Sequence, residues 1–190
     1  MTMLIAGLVL FLGVHSIAIV APAGRDRLAA RLGTGTWRAL HGLLSLAGLA
    51  LVVVGFGAAR AAPVVLYVPP RWLQLVAVVL MAAAFPMLFA SFLRGRLQAT
   101  LQHPLLAATK TWAFAHLLAN GRLADLILFG SILAWAVADR ISLKHRKPRP
   151  ATAAPGSPYN DLLAVVLGLG LYAVFLLGAH QWLFGVAPLG

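Results

Sequence analysis

Histidine is the residue with the most chemical scope in this sequence. His15, His41, His103, His116 and His180 lie in or at the edge of long apolar stretches, and only His145 sits among clustered lysines and arginines. A ligating side chain in apolar surroundings is costly unless it finds a partner, which makes each of the five a candidate for a site. Taken singly, any of them could instead make a hydrogen bond between helices. Five together in 190 residues favour a ligand role without identifying the ligand.

The missing residue types narrow the choice. There is no cysteine and no glutamate, and the only acids are Asp26, Asp125, Asp139 and Asp161. Disulfides, CxxC redox chemistry, thiolate ligation and covalent haem attachment through CxxCH are therefore excluded. Zinc and di-iron sites call for Cys, Glu or an HExxH-type spacing, and copper for Cys or clustered Met. Two neutral imidazoles on different helices suit a b-type haem, which needs only axial ligands and an apolar slot.

The segment from His103-Pro104 to Asn120-Gly121 concentrates the polar chemistry. With about 100° between successive residues of a helix, Thr109, Trp112, Ala113, His116 and Asn120 share one face. That aromatic and polar stripe on an apolar helix reads as the lining of a cofactor or substrate site, or as a seam of interhelical hydrogen bonds. Lys110 lies on a neighbouring arc with His103, and no carboxylate is near it in the sequence. It either snorkels or pairs with an acid the chain does not supply, such as a haem propionate.

Stepping outward from these residues, 62% of the chain is hydrophobic and 10% charged, far below the roughly 25% charged of a soluble domain. The apolar residues come in continuous blocks near the ~20 residues that cross a bilayer as a helix, not in alternating strand-like segments. The expected architecture is all-α: a single integral-membrane domain over 1–190, folded as a six-helix transmembrane bundle. Its helices are expected over about 3–21, 37–59, 71–92, 103–120, 123–138 and 161–184. Pro86 should kink the third, Asn160 should cap the sixth, and a Pro-, Lys- and Arg-rich tract over about 144–158 is expected as a disordered loop. The first block lacks a basic flank and a small-residue cleavage site, so a retained first helix is expected.

The net charge of +11 does not imply nucleic acid, because the cations lie between apolar blocks and not in one patch. They read as topology determinants facing cytosol and anionic lipid. Eleven of the fifteen Lys and Arg fall in or beside the first, third and fifth connections, three in the second and fourth, and Lys110 lies within a helix. This bias puts the basic connections in the cytoplasm and both termini outside, on the periplasmic face. No internal repeat with matching broken helices is present, which disfavours a secondary transporter.

Several runs resemble the signature of NnrU proteins: Gln102-His103-Pro104-Leu105-Leu106, Trp112 through Gly121, Val14-His15-Ser16, and Trp182-Leu183-Phe184-Gly185-Val186 with Pro188. The resemblance covers nearly the whole chain. It implies a multi-pass protein of the bacterial inner (cytoplasmic) membrane linked to denitrification, that is, to nitrite and nitric oxide reduction. It also implies respiratory nitrogen-oxide reductase components as partners, and leaves the oligomeric state open. The family includes the 15-cis-ζ-carotene isomerase, a membrane enzyme holding haem b. By that resemblance His15 and His116 match the positions implicated as axial ligands of the haem iron. The isomerase has a cysteine three residues before the second ligand; here that position is Ala113. The His-Pro motif also resembles integral-membrane methyltransferases, but those place downstream glutamates in their cofactor site and this chain has none.

Depth within the bilayer qualifies the ligand pair. His15 lies past the middle of the first helix and His116 near the outer end of the fourth, a difference of about 10 Å at ~1.5 Å per residue. His180, late on the outward-running sixth helix, matches His116 better and is the rival ligand. The expected function is haem-b binding in support of nitrogen-oxide metabolism. The alternatives are haem-dependent cis/trans isomerisation of a polyene lipid and a non-enzymatic assembly or regulatory role.

Overall fold

Runs rich in Leu and Ala with few helix-breaking interruptions favour helix throughout, and proline and glycine mark several of the helix ends. The computed structural model describes residues 1–146 and 153–189 and is helical, with isolated bridges but no strand among those residues. In chain order the helices are α1 (Thr2–Val20), α2 (Pro22–Leu32), α3 (Thr34–Ala61), α4 (Arg71–Ala90), α5 (Arg96–Leu101), α6 (Pro104–Ala119), α7 (Leu123–Ser142) and α8 (Asn160–Val174). A π-helical turn, Phe175–Ala179, continues α8 into α9 (His180–Phe184). Pro22 and Pro104 occupy first-turn positions of α2 and α6, where a missing N–H costs nothing.

Among the described residues, four helices are long and apolar enough to cross a membrane: α1, α3, α4 and the continuous run Asn160–Phe184. The chain is a helical membrane protein. The other two expected spans differ for separate reasons. α6 has 16 residues, a rise of about 24 Å against a hydrocarbon core of ~30 Å. α7 has 20 residues but carries Asp125, Asp139 and Arg140.

Three local expectations are revised. The stretch with Arg25, Arg27 and Arg31, read as a loop, is helix α2. Asn160 does not cap α8; its amide donates to the carbonyls of Arg94 (2.8 Å) and Pro155 (2.9 Å). The cap is made elsewhere, by Asp161, whose carboxylate accepts from the backbone N–H groups of Arg96 (2.9 Å) and Leu97 (3.0 Å) at the start of α5. Of the tract expected to be disordered, residues 147–152 lie outside the described residues, whereas the N–H of Ala154 donates to the carbonyl of Phe92 at 2.8 Å.

Contacts divide the chain into two compact units, Met1–Leu66 with Arg122–Lys147 and Tyr67–Gly121 with Pro148–Gly190. In the first, α1 packs on α3 through glycines. A Cβ at Gly7 would lie 2.5 Å from the Val52 nitrogen, and one at Gly48 would lie 2.8 Å from the Phe11 nitrogen. Such close backbone approach is how small residues associate helices in lipid, where apolar burial gives no driving force. α7 joins them, and Arg146 beyond its end pairs with Asp139 and donates to the Ala18 carbonyl at 2.9 Å.

In the second unit α4 packs against α6 and α8. Pro86 lies inside α4, and Gly168 of α8 rests on it so closely that a Cβ there would meet Pro86 Cα at 2.5 Å. Tyr172 Oη donates to the Val78 carbonyl at 2.9 Å, and its ring lies against Phe85, which in turn meets Phe175 in a tilted contact. Tyr67 ties down the end of α6 by donating from its hydroxyl to the carbonyls of Leu117 (2.6 Å) and Asn120 (2.8 Å). Those carbonyls belong to the last turn, which has no intrahelical donors of its own.

Candidate functional site

Four of the six histidines fall in two pairs, one in each unit. In the second unit the structure brings His116 of α6 together with His180 of α9, their ring centres 6.4 Å apart and their planes inclined by 31°. Each ring is tethered through the same atom. His116 Nδ1–H donates to the carbonyl of Trp112, one turn back, at 2.9 Å. His180 Nδ1–H donates to the carbonyl of Val186, six residues on, at 2.7 Å. A carbonyl can only accept, so Nδ1 carries a proton in both rings. A carbonyl partner on the distal nitrogen is the usual support of a metal-ligating imidazole, fixing its tautomer and raising its basicity.

Local backbone features aim His180. The π turn Phe175–Ala179 inserts a residue into the helix just before it, turning every later side chain by about 100°. Without that insertion His180 would follow the face of α8 into other surroundings. After Phe184 the chain reverses at Gly185, with φ +71 and ψ 15, which brings the Val186 carbonyl back to the ring. A glycine adopts this left-handed conformation without the Cβ clash other residues suffer. Aromatic neighbours complete the lining: Trp112 lies 5.0 Å from the His116 ring and Phe184 5.0 Å from the His180 ring.

The rest of the expected stripe behaves differently. Thr109 Oγ donates to the Leu105 carbonyl and the Asn120 amide to the His116 carbonyl, so both polar side chains are engaged within α6. Ala113 is fully buried. Lys110 is half-buried on α6 and belongs to neither ion pair among the described residues. His103 stands at the start of α6 but makes no side-chain cap there. It follows Gln102, a non-glycine residue at φ 60, a strained conformation of the kind that recurs at functional sites.

His15 belongs to the first unit, where its neighbours are His41 and Trp135. The His15 ring centre is 5.0 Å from that of His41 and 5.8 Å from the Trp135 ring, in edge-to-face arrangements. Its Nδ1–H donates to the Phe11 carbonyl at 2.7 Å. Trp135 Nε1 is buried without a hydrogen-bond partner among the described residues. Sequence reasoning counted His41 among the intramembrane histidines but gave it no role, and it missed Trp135 entirely. Neither spacing nor helical face could connect residues on α1, α3 and α7.

The two clusters differ in what they could hold. Two imidazoles trans on one metal, each with its nitrogen roughly 2.0 Å away, have ring centres roughly 6.3 Å apart. The His116–His180 separation of 6.4 Å matches this, whereas 5.0 Å for His15–His41 is too short for trans ligands and suits direct ring contact. No group of three or more His or Asp side chains placed to hold a metal ion occurs among the described residues.

Comparison with known proteins gives one result. No curated protein and no solved structure matches the chain. The NnrU protein family matches residues 3–188, nearly the full length. The chain belongs to the NnrU family.

Proposed function

We propose that this protein crosses the bacterial inner membrane six times with both termini outside, holds haem b between His116 and His180, and serves nitrogen-oxide metabolism. The observation that carries the haem assignment is the neighbouring pair of Nδ1-tethered imidazoles with ring centres 6.4 Å apart. His116 and His180 would hold the haem, which would supply one-electron transfer when bound. The chain's own residues do the rest. The carbonyls of Trp112 and Val186 hold each ring through Nδ1–H and fix its orientation, Trp112 and Phe184 flank the rings with aromatic surface, and Lys110 would offer a cation to a propionate.

The orientation of the termini follows from the charge bias between connections. It does not depend on whether the short α6 and the charged α7 cross fully, because as a consecutive pair they leave the sidedness of α8 unchanged. The nitrogen-oxide role is carried by the family resemblance, and nitrogen-oxide reductase components are the partners it suggests. Isomerisation of a polyene has less support here, since fully buried Ala113 stands where the isomerase has cysteine.

The visible spectrum of the detergent-purified protein tests this. A Soret band that shifts on reduction is expected, lost in His116→Ala and in His180→Ala and kept in His15→Ala. Loss in His15→Ala with retention in His180→Ala would restore the ligand pair implied by the resemblance. Absence of any Soret band after haem supplementation would overturn the haem assignment and leave the assembly or regulatory role.

A further inference from the structure

Helix α2 is joined to α1 by Ala21 alone and to α3 by Gly33 alone. Both neighbours are long enough to cross the bilayer, so 11-residue α2 has no slack with which to leave the membrane surface. It must lie in the headgroup layer, where the abundant anions are lipid phosphates. Its side chains divide accordingly. Ala29 is buried, while Leu28 and Leu32 are about two-fifths exposed and have only acyl chains to meet.

The cations of α2 are not equivalent. Arg25 is committed, its guanidinium paired with Asp26 at 2.9 Å and lying 5.3 Å from the Trp37 ring centre. Arg27 makes only a long contact, Nε to the Ala23 carbonyl at 3.4 Å, and Arg31 makes no ion pair among the described residues. Arg27 and Arg31 are one turn apart, and like charges at that spacing repel along a helix. Between them is a hollow of about 260 Å³ lined by Gly24, Arg27, Leu28 and Arg31. Gly24 is part of its lining, and a Cβ there would touch nothing nearer than Ala21 Cβ at 3.6 Å.

We infer that α2 carries a binding site for one anionic phospholipid. Its headgroup phosphate lies over Gly24 between the Arg27 and Arg31 guanidiniums, and its acyl chains run along Leu28 and Leu32. The phosphate relieves the repulsion of the two arginines and accepts charge-assisted hydrogen bonds from both. The glycine leaves room for it to approach the helix. This site is independent of the haem assignment.

The test compares lipid retention by native mass spectrometry of the full chain in nanodiscs of phosphatidylcholine doped with phosphatidylglycerol. The native protein should retain phosphatidylglycerol. Arg27→Gln/Arg31→Gln should lower its apparent affinity by roughly tenfold or more, as expected for the loss of charge-assisted bonds. Arg94→Gln/Arg96→Gln, on another basic connection, should leave it unchanged. Gly24→Leu is the decisive variant, because it fills the hollow while keeping every charge, with circular dichroism as the check that it folds. Loss of the lipid in Gly24→Leu supports a built site. Loss only in the arginine variant would show a diffuse charge effect and overturn it, as would retention in both variants. Displacement of the lipid by millimolar inorganic phosphate would show that the hollow selects free phosphate, which also overturns the proposal.

Discussion

Gly185 gives the most searching test of how the backbone supports the candidate site. Its φ of +71 reverses the chain after α9 and brings the Val186 carbonyl to within 2.7 Å of His180 Nδ1. Replacing it with alanine puts a Cβ against the next carbonyl, costing about 1–2 kcal/mol if the turn is kept. That is enough to change the ratio of kept to relaxed turns by about 5- to 30-fold. In the relaxed form His180 loses the bond that fixes its tautomer, and the loss of such a supporting partner typically costs about 10- to 100-fold in metal affinity. Gly185→Ala should therefore lower haem affinity by about tenfold, within these bounds. A less basic imidazole also stabilises ferric iron less, so the reduction potential should rise. Gly185→Asn should recover most of the loss, because asparagine tolerates the left-handed conformation. The assay is haem titration of purified protein followed at the Soret band, with a redox titration alongside. Unchanged affinity and potential in Gly185→Ala, or equal losses in the alanine and asparagine variants, would refute the chain of reasoning from turn to ligand.

The remaining expectations are simpler to check. A cysteine introduced at Ser157 of this cysteine-free chain should resist an impermeant thiol reagent in intact cells, and labelling there would invert the proposed topology. Gly168→Leu should lower thermal stability in detergent by the equivalent of about 1–3 kcal/mol, because α8 cannot keep its contact with Pro86; an unchanged melting temperature would show that contact to be dispensable. Expression in cells that accumulate a cis-polyene should leave its isomer profile unaltered, since Ala113 supplies no sulfur; isomerisation dependent on His116 would promote that activity instead. His145→Ala should change neither haem content nor stability, as its side chain is exposed beyond α7.

Composition alone determined that this is a helical membrane protein, because nothing but intramembrane helices accommodates so many long apolar runs with so few charges. Proline and glycine likewise marked the ends of α6 before any coordinates, since both act through their own backbone chemistry and need no partner. The motif around His116 was legible for the same reason: it lies on one continuous helix, where spacing fixes the face. Helix depth names His180 as a rival partner for His116, but only the tertiary structure brings the two rings together and pairs His15 with His41. His180 reaches His116 through a π turn and a glycine reversal, and neither the register shift nor the returning carbonyl can be read from residue spacing. His15 meets His41 and Trp135 because glycines let α1 and α3 approach at backbone distance and α7 closes on them. Such contacts depend on the sum of many weak packing choices between helices, which no local pattern in the sequence encodes.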